Sequence, residues 1–108
     1  MEVMKIVITS CGNSPDAKLD SHFGRCAYFV FYDTETGGME YLPNPYKELE
    51  AEAGSSAVNL IASRGVAKCV SGELGVKVKP LLDSLKIQMI VLRNQVKTIQ
   101  EIINLLNH

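Results

Sequence analysis

The fold of this chain is decided by a stretch near its start, Lys5-Ile6-Val7-Ile8-Thr9. Three consecutive β-branched aliphatic residues leave no alternation of apolar and polar positions, which is the pattern of a strand buried on both faces of a sheet. Such a strand lies in the middle of its sheet, so we expect the chain to build outward from it on both sides. Residues 1–3 precede it and are interpreted as a short N-terminal extension.

A hairpin is predicted on one side of this central strand. Aromatic and β-branched residues from Tyr28 to Tyr32 indicate a second strand. Gly37-Gly38 supplies a turn, and the alternating residues Met39 to Leu42 indicate a third strand. Pro43 follows directly, which is typical of a sheet edge or of the end of a strand.

Helices and strands alternate in the second half of the chain. Three predicted helices and two predicted strands follow in order: a helix from about Ser56 to Arg64 capped by Ser55 or Ser56, a strand Val66 to Val70, a helix Lys79 to Leu85, a strand Ile87 to Leu92, and a helix with a capping box at Thr98 and Glu101. The second of these helices has Val78, Leu81, Leu82 and Leu85 on one face. The last has Ile99, Ile102, Ile103 and Leu106 on one face.

The element order βββαβαβα predicts an α/β fold of three α/β/α layers. Right-handed crossovers in the second half imply a parallel half-sheet, and the opening hairpin adds an antiparallel strand. The expected result is a five-stranded mixed sheet of order 3-2-1-4-5 with strand 2 antiparallel, the arrangement of a ribonuclease-H-like motif. A chain of 108 residues fits one domain, residues 1–108.

Composition excludes several classes of function. Hydrophobic residues make up 46% of the chain and the net charge is −1, which does not predict a nucleic-acid or anionic-membrane surface. No apolar run approaches the roughly 20 residues of a membrane span. Three cysteines, an odd number, without a recognisable secretion signal favour reduced thiols and a cytoplasmic location. The sequence leaves the oligomeric state open.

Several reactive residues are expected at one rim of the predicted sheet. Ligands collect outside the carboxyl ends of parallel strands, and the antiparallel second strand begins at the same end. Residues from five separate segments therefore converge there: Cys11 and Gly12, His22 to Cys26, Pro43 and Asn44, Gly54 to Ser56, and Gly72.

The residue types at this rim suit a metal bound to anionic groups. Cys11, His22 and Cys26 offer two sulfur ligands and an imidazole. His22 could instead form a hydrogen bond to the loop backbone. Cys11 and Cys26 could instead be small residues at the ends of strands, with no ligand role. Arg25 pairs an acidic group or caps a loop carbonyl. The helix start at Gly54, Ser55 and Ser56 favours an anion.

The chain resembles the dinitrogenase iron–molybdenum cofactor-binding family, the group of NifX, the C-terminal part of NifB and NafY. The matching segments are Met4 to Ile8, His22-Phe23-Gly24-Arg25 ahead of Tyr28 to Phe31, Asp33 to Gly37, Asn44-Pro45, Ala53 to Ala57, and Gly72. The resemblance spans roughly residues 4–106. The two cysteines depart from the family pattern, which has small non-thiol residues at positions 11 and 26.

This resemblance implies a carrier for an iron–molybdenum cofactor or a related metal–sulfur cluster, with no catalytic residues of its own. It implies His22 as a metal ligand, and Gly12, Gly24, Arg25, Gly54, Ser55, Ser56 and Gly72 as cofactor-binding residues. Cys11 and Cys26, which depart from the family pattern, either add sulfur ligands to the metal site or are incidental small residues. Partners would be the cofactor and a protein that donates or accepts it.

Three other functions are alternatives to the carrier. A protein-interaction module would use the acidic segment Glu48 to Glu52, and a thiol redox protein would use Cys11 with Cys26. A nuclease of the same fold order needs metal-binding carboxylates on the first and fourth strands. Neither Lys5 to Ser10 nor Val66 to Ser71 contains one, which argues against the nuclease.

Overall fold

The computed structural model describes residues 4–49, 53–73, 75, 77–92 and 97–106, so the predicted extension at residues 1–3 lies outside it. Within these residues the elements follow the predicted order. The strands are β1 (Lys5–Ser10), β2 (Tyr28–Asp33), β3 (Met39–Pro43), β4 (Val66–Ser71) and β5 (Gln88–Val91). The helices are α1 (Ala53–Ser63), α2 (Val78–Ser84) and α3 (Ile99–Leu106).

The strands form a mixed sheet of order β3-β2-β1-β4-β5, which confirms the predicted topology. In the middle of the sheet, Val7 of β1 is aligned with Phe31 of the antiparallel β2 and with Cys69 of the parallel β4. Strand β1 is buried over five of its six residues. The apolar stretch at its centre therefore has the role that the sequence predicts.

The two faces of the sheet bury separate cores, which gives the expected three layers. On one face Val7 packs in a cluster with residues of α1 and α2, among them Ile61 and Leu82. On the other face Ile6 and Ile8 pack with Ile99, Ile102 and Ile103 of α3. Adjacent residues of β1 thus serve opposite cores, because side chains alternate across a strand.

The predicted start of α1 is wrong by three residues. The helix begins at Ala53, so Ser55 and Ser56 lie in its first turn and do not precede it. Ala53 is buried, and the backbone of Gly54 lies directly against Gly24 and Val78. This packing extends the helix beyond the point where two serines suggest a cap.

The predicted apolar face of α2 is only half buried. Val78 and Leu82 are buried, but Leu81 and Leu85 are exposed, because this short helix contacts the sheet along a single i, i+4 row.

The predicted capping box of α3 is confirmed. The Thr98 backbone N–H donates to Glu101 Oε1 at 2.9 Å, and the Glu101 N–H donates to Thr98 Oγ1 at 3.1 Å. In the described residues no helix is long and apolar enough to cross a membrane.

Truncating the central strand should cost far more stability than truncating a surface leucine. Ile8 has no exposed surface, so Ile8→Ala removes buried methyl groups and should lower the free energy of unfolding by about 2–5 kcal/mol. Leu105→Ala is the control, since Leu105 is 53% exposed and its loss should cost no more than about 0.5 kcal/mol. Urea unfolding measures both, and equal losses would contradict the central position of β1.

Candidate functional site at the carboxyl end of the sheet

The segment after β1 leaves the sheet and returns to it before β2 begins. Its return is antiparallel: the Cys11 N–H donates to the Lys18 carbonyl at 2.9 Å, and the Asp20 N–H donates to the Thr9 carbonyl at 3.0 Å. Leu19 forms a single bridge with Ser10. This excursion places Asp20 beside the end of β1, below the segment that contains His22.

Hydroxyl groups form a buried polar layer under this rim. Thr9, Ser10 and Ser71 have no exposed surface. The Thr9 hydroxyl lies 3.1 Å from the Ser71 hydroxyl and donates to the Asp20 carbonyl at 2.8 Å. The same carbonyl accepts the Gly72 N–H at 3.2 Å. Asp20 is thereby fixed to the ends of both β1 and β4.

The Asp20 carboxylate closes the loop that carries the candidate ligands. Oδ1 accepts the His22 N–H at 3.0 Å, and Oδ2 accepts the Ala27 N–H at 3.3 Å. One side chain therefore holds both ends of residues 22–27 together. Asp20 is not among the site residues predicted from the sequence. Its bond to the backbone N–H two residues on is an Asx turn, for which an aspartate in a polar loop is a local but unspecific signal.

Glycines allow this loop to lie against two neighbouring elements. A Cβ on Gly24 would lie 2.7 Å from the Gly54 nitrogen at the start of α1. A Cβ on Gly72 would lie 2.6 Å from Ser21 Cα, and one on Gly12 would lie 3.3 Å from Ala17 Cβ. Gly24 and Gly72 thus permit backbone-to-backbone contacts that side chains would prevent.

Asn44 fixes the loop from the side of β3. Its Nδ2 donates to the Gly24 carbonyl at 2.9 Å and to the Cys26 carbonyl at 3.0 Å, and its own N–H donates to the Ala27 carbonyl at 3.0 Å. Asn44 is buried, so these bonds also satisfy a polar side chain that burial would otherwise penalise. Asn44 and Asp20 together hold the loop at both edges.

His22 is presented to solvent on this fixed loop. Its side chain is 69% exposed. Nδ1 lies 3.0 Å from the Ser21 hydroxyl and 3.6 Å from Asp20 Oδ1. The backbone of His22 is held firmly, whereas the outer part of its ring is available to a ligand.

The three cysteines are free thiols in different environments. Cys11 is exposed, whereas Cys26 and Cys69 are buried. Partial burial and the negative charge of Asp20 raise the pKa of Cys11. Burial, followed by the charge of Asp20, raises the pKa of Cys26 strongly, and burial raises that of Cys69 to about 12. The Cys26 thiol lies in the core beside Phe23 and Phe29, not on the surface of the rim.

The remaining predicted residues lie around the same loop. Arg25 is exposed and its Nη1 donates to the Lys47 carbonyl at 3.1 Å, the carbonyl-capping alternative. Gly54, Ser55 and Ser56 form the first turn of α1. Over the described ranges, no group of three or more His, Cys, Asp or Glu is arranged to hold a metal ion. Of the acidic segment 48–52, residues 50–52 lie outside those ranges.

A pocket also forms at the opposite end of β1, away from this rim. Its lining includes Lys5, Asp33, Glu40 and Arg64. The Arg64 guanidinium lies over the Phe31 ring at 4.4 Å from the centroid and forms an ion pair with Glu40. Arg64 and Glu40 therefore pair with each other at the far end of the sheet, and none of the predicted site residues lines the pocket.

Comparisons with known proteins agree with the resemblance noted in the sequence. The family profile described as dinitrogenase iron–molybdenum cofactor matches residues 4–108. The apo form of the orange protein from Desulfovibrio gigas is similar in structure, with a TM-score of 0.88 and 27% identity over 98% of this chain and 88% of that chain. No match was found among curated protein sequences.

Two further solved structures are similar. A Thermotoga protein provisionally assigned as a NifB protein has a TM-score of 0.79 and 26% identity over 96% of this chain and 87% of its own. A protein of Methanocaldococcus jannaschii provisionally assigned as a dinitrogenase has a TM-score of 0.69 and 16% identity over 98% and 89%. At 16% identity, this last comparison shows a similar fold and nothing about function.

Replacing Gly24 by alanine should disturb the rim. The added Cβ would overlap the backbone of Gly54, so Gly24→Ala should lower the free energy of unfolding by about 1–3 kcal/mol. Gly75→Ala is the matched control, because its Cβ would meet Val78 at an ordinary 4.0 Å. Thermal melts compare the two, and a Gly24→Ala protein as stable as Gly75→Ala would contradict the close approach of loop and helix.

Cys11 should be the one thiol that reacts in the folded protein, and it should react slowly at neutral pH. Because its pKa is raised, the thiolate fraction and the rate of alkylation should increase with pH to beyond the ordinary range of a cysteine. Asp20→Asn removes the negative charge and should speed the reaction at pH 7. Mass spectrometry after iodoacetamide treatment identifies the modified residue, and rapid labelling of Cys26 without unfolding would contradict its burial.

Proposed function

The chain belongs to the dinitrogenase iron–molybdenum cofactor family, and from that membership we propose that it is a non-enzymatic carrier of an iron–molybdenum-type or related metal–sulfur cofactor. The observation that carries the proposal is the presentation of His22: an exposed imidazole on a loop held at both ends by Asp20. A preformed ligand on a rigid support binds without the cost of ordering it first.

The donors at the rim suit a cluster that arrives already assembled. A metal–sulfur cluster brings its own sulfide ligands, so the protein needs to supply only one or two further donors. His22 and Cys11 are both exposed and both border the Asp20 carboxylate. Imidazole and thiolate are suitable ligands for iron and for softer metals. Cys26 would reach a cluster only if the loop opened, because its thiol is buried in the core.

Positive charge on the same rim suits the anionic part of such a cofactor. Arg25 brings a permanent charge to the loop. The first turn of α1 lies directly against Gly24, and its N–H groups carry the positive end of the helix dipole. These groups would attract the anion without forming covalent bonds to it, which allows the cofactor to leave again.

Ligand exchange at an exposed site is the chemistry of delivery. A carrier must accept its cargo from a donor protein and release it to an acceptor, so the cargo has to remain within reach of a second protein. A site on the outer rim meets this need better than an enclosed pocket. We place this exchange in the cytoplasm, where thiols stay reduced.

Loss of the His22 imidazole should weaken cofactor binding without unfolding the protein. Isolated iron–molybdenum cofactor, titrated anaerobically and followed by absorption and elemental analysis, should bind His22→Ala at least about 10- to 100-fold more weakly than the wild type, the loss typical of residues that only support a metal ligand. His108→Ala is the matched control, since it removes the chain's other histidine and should leave affinity unchanged. A well-folded His22→Ala protein with full affinity would remove His22 from the site.

The contribution of Cys11 can be separated from that of His22 in the same titration. Cys11→Ser keeps the shape of the side chain but removes the thiolate, so affinity should fall and one fewer proton should be released on binding. Cys69→Ser tests the general effect of removing a thiol, because Cys69 lies in the sheet interior. Equal affinity of the Cys11→Ser and wild-type proteins would leave His22 as the sole donor of the pair.

A further inference from the structure

The two ring nitrogens of a histidine ligand are chemically distinct. In a neutral imidazole one nitrogen carries the proton and the other can bind a metal, and the group that lies against one nitrogen decides which is which. Histidine ligands commonly donate the second N–H to a carboxylate or carbonyl, and that partner orients the ring. The surroundings of His22 Nδ1 therefore predict which nitrogen faces the cofactor.

His22 Nδ1 faces two oxygen atoms. The Ser21 hydroxyl lies 3.0 Å away, and Asp20 Oδ1 lies 3.6 Å away. Oδ1 also accepts the His22 backbone N–H, and Oδ2 accepts that of Ala27, so the carboxylate cannot turn away without breaking two bonds. The Asp20 side chain is 15% exposed and the His22 side chain is 69% exposed, so water screens this pair mainly from the side of the ring.

The Ser21 hydroxyl can donate to a bare Nδ1 or accept from an Nδ1–H, so it fits either tautomer, whereas the carboxylate disfavours a bare nitrogen at Nδ1. A carboxylate has acceptor sites only, so a lone pair on Nδ1 would face a negative charge across 3.6 Å. An N–H at Nδ1 would instead point its positive end toward both the carboxylate and the hydroxyl oxygen. The Cys11 thiol, which also borders Asp20, is a weak donor and adds no competing positive charge.

We infer that Asp20 is a positioning residue: it holds neutral His22 in the Nδ1–H tautomer and leaves Nε2 as the nitrogen that binds the cofactor. This inference rests on the proposed function, because it names the atom through which the same site acts. Asp20 itself does not touch the cofactor. It acts by fixing the loop, the ring and the position of one proton.

The tautomer can be measured in the cofactor-free protein. Long-range ¹H–¹⁵N correlation spectra, recorded at alkaline pH where imidazole is neutral, distinguish a protonated from an unprotonated ring nitrogen. His108→Gln leaves one histidine and makes the assignment direct. The wild-type ring should show Nδ1 protonated and Nε2 unprotonated. The opposite pattern would overturn the inference, whatever the variants do.

Three variants test the cause. In Asp20→Asn the charge is lost, and the Nδ1–H form should cease to be the major one. Asp16→Asn removes an exposed carboxylate of the same excursion and should leave the tautomer unchanged. Ser21→Ala keeps the carboxylate and should also keep the Nδ1–H form. A tautomer that switches in Ser21→Ala, or stays in a folded Asp20→Asn protein, would overturn the role of Asp20.

The tautomer of His22 and the binding of the cofactor are measured separately, so one proposal can fail while the other stands. If the apo ring is Nδ1–H but the protein binds no iron–molybdenum cofactor, the carrier proposal fails and the positioning geometry stands. If the cofactor binds through His22 while the ring is Nε2–H, the carrier proposal stands and the inference fails. With both correct, Asp20→Asn should weaken cofactor binding about 10- to 100-fold.

Discussion

The attachment of Asp20 to the ends of β1 and β4 is the constraint on which the rest of the rim depends. The Asp20 carbonyl accepts the Thr9 hydroxyl and the Gly72 N–H, while its carboxylate accepts the backbone of His22 and Ala27. Asp20 thus joins the surface loop of residues 22–27 to the ends of two central strands, which restrains the loop. The two bonds to the carbonyl are worth about 1 kcal/mol each and the two to the carboxylate about 1.5–3 kcal/mol each, and together they leave the loop few alternative conformations.

The fixed rim explains how the proposed site can lie on the surface of a small protein. The loop lies on the backbone of α1 at Gly54 and is held from the other side by Asn44. Its apolar residues, Phe23 and Cys26, are buried below, so the polar residues His22 and Arg25 remain outside. The pattern of buried and exposed positions within these five residues both anchors the loop and exposes the two side chains that we propose as cofactor-binding groups.

Much of the fold could be predicted from the sequence because it follows from local pattern. The stretch Lys5 to Thr9 has the composition of a doubly buried strand, and strand order follows from the handedness of crossovers. The strand order also predicts which segments lie near one another at the carboxyl end of the sheet. The spacing of Asp20 and His22 indicates a local Asx turn, but the bond of the Asp20 carbonyl to Gly72, directly after β4, is a long-range contact that the sequence does not predict. The start of α1 and the burial of Cys26 likewise depend on packing between distant segments.

The central claim is that His22 binds a metal of the cofactor directly. Pulsed electron paramagnetic resonance of the loaded protein, with the cofactor in a paramagnetic state and histidine labelled with ¹⁵N, tests it most directly. We expect a ¹⁵N coupling from one imidazole nitrogen that persists in His108→Ala and is absent in His22→Ala. A cofactor-loaded wild-type protein without a histidine nitrogen coupling would contradict the account.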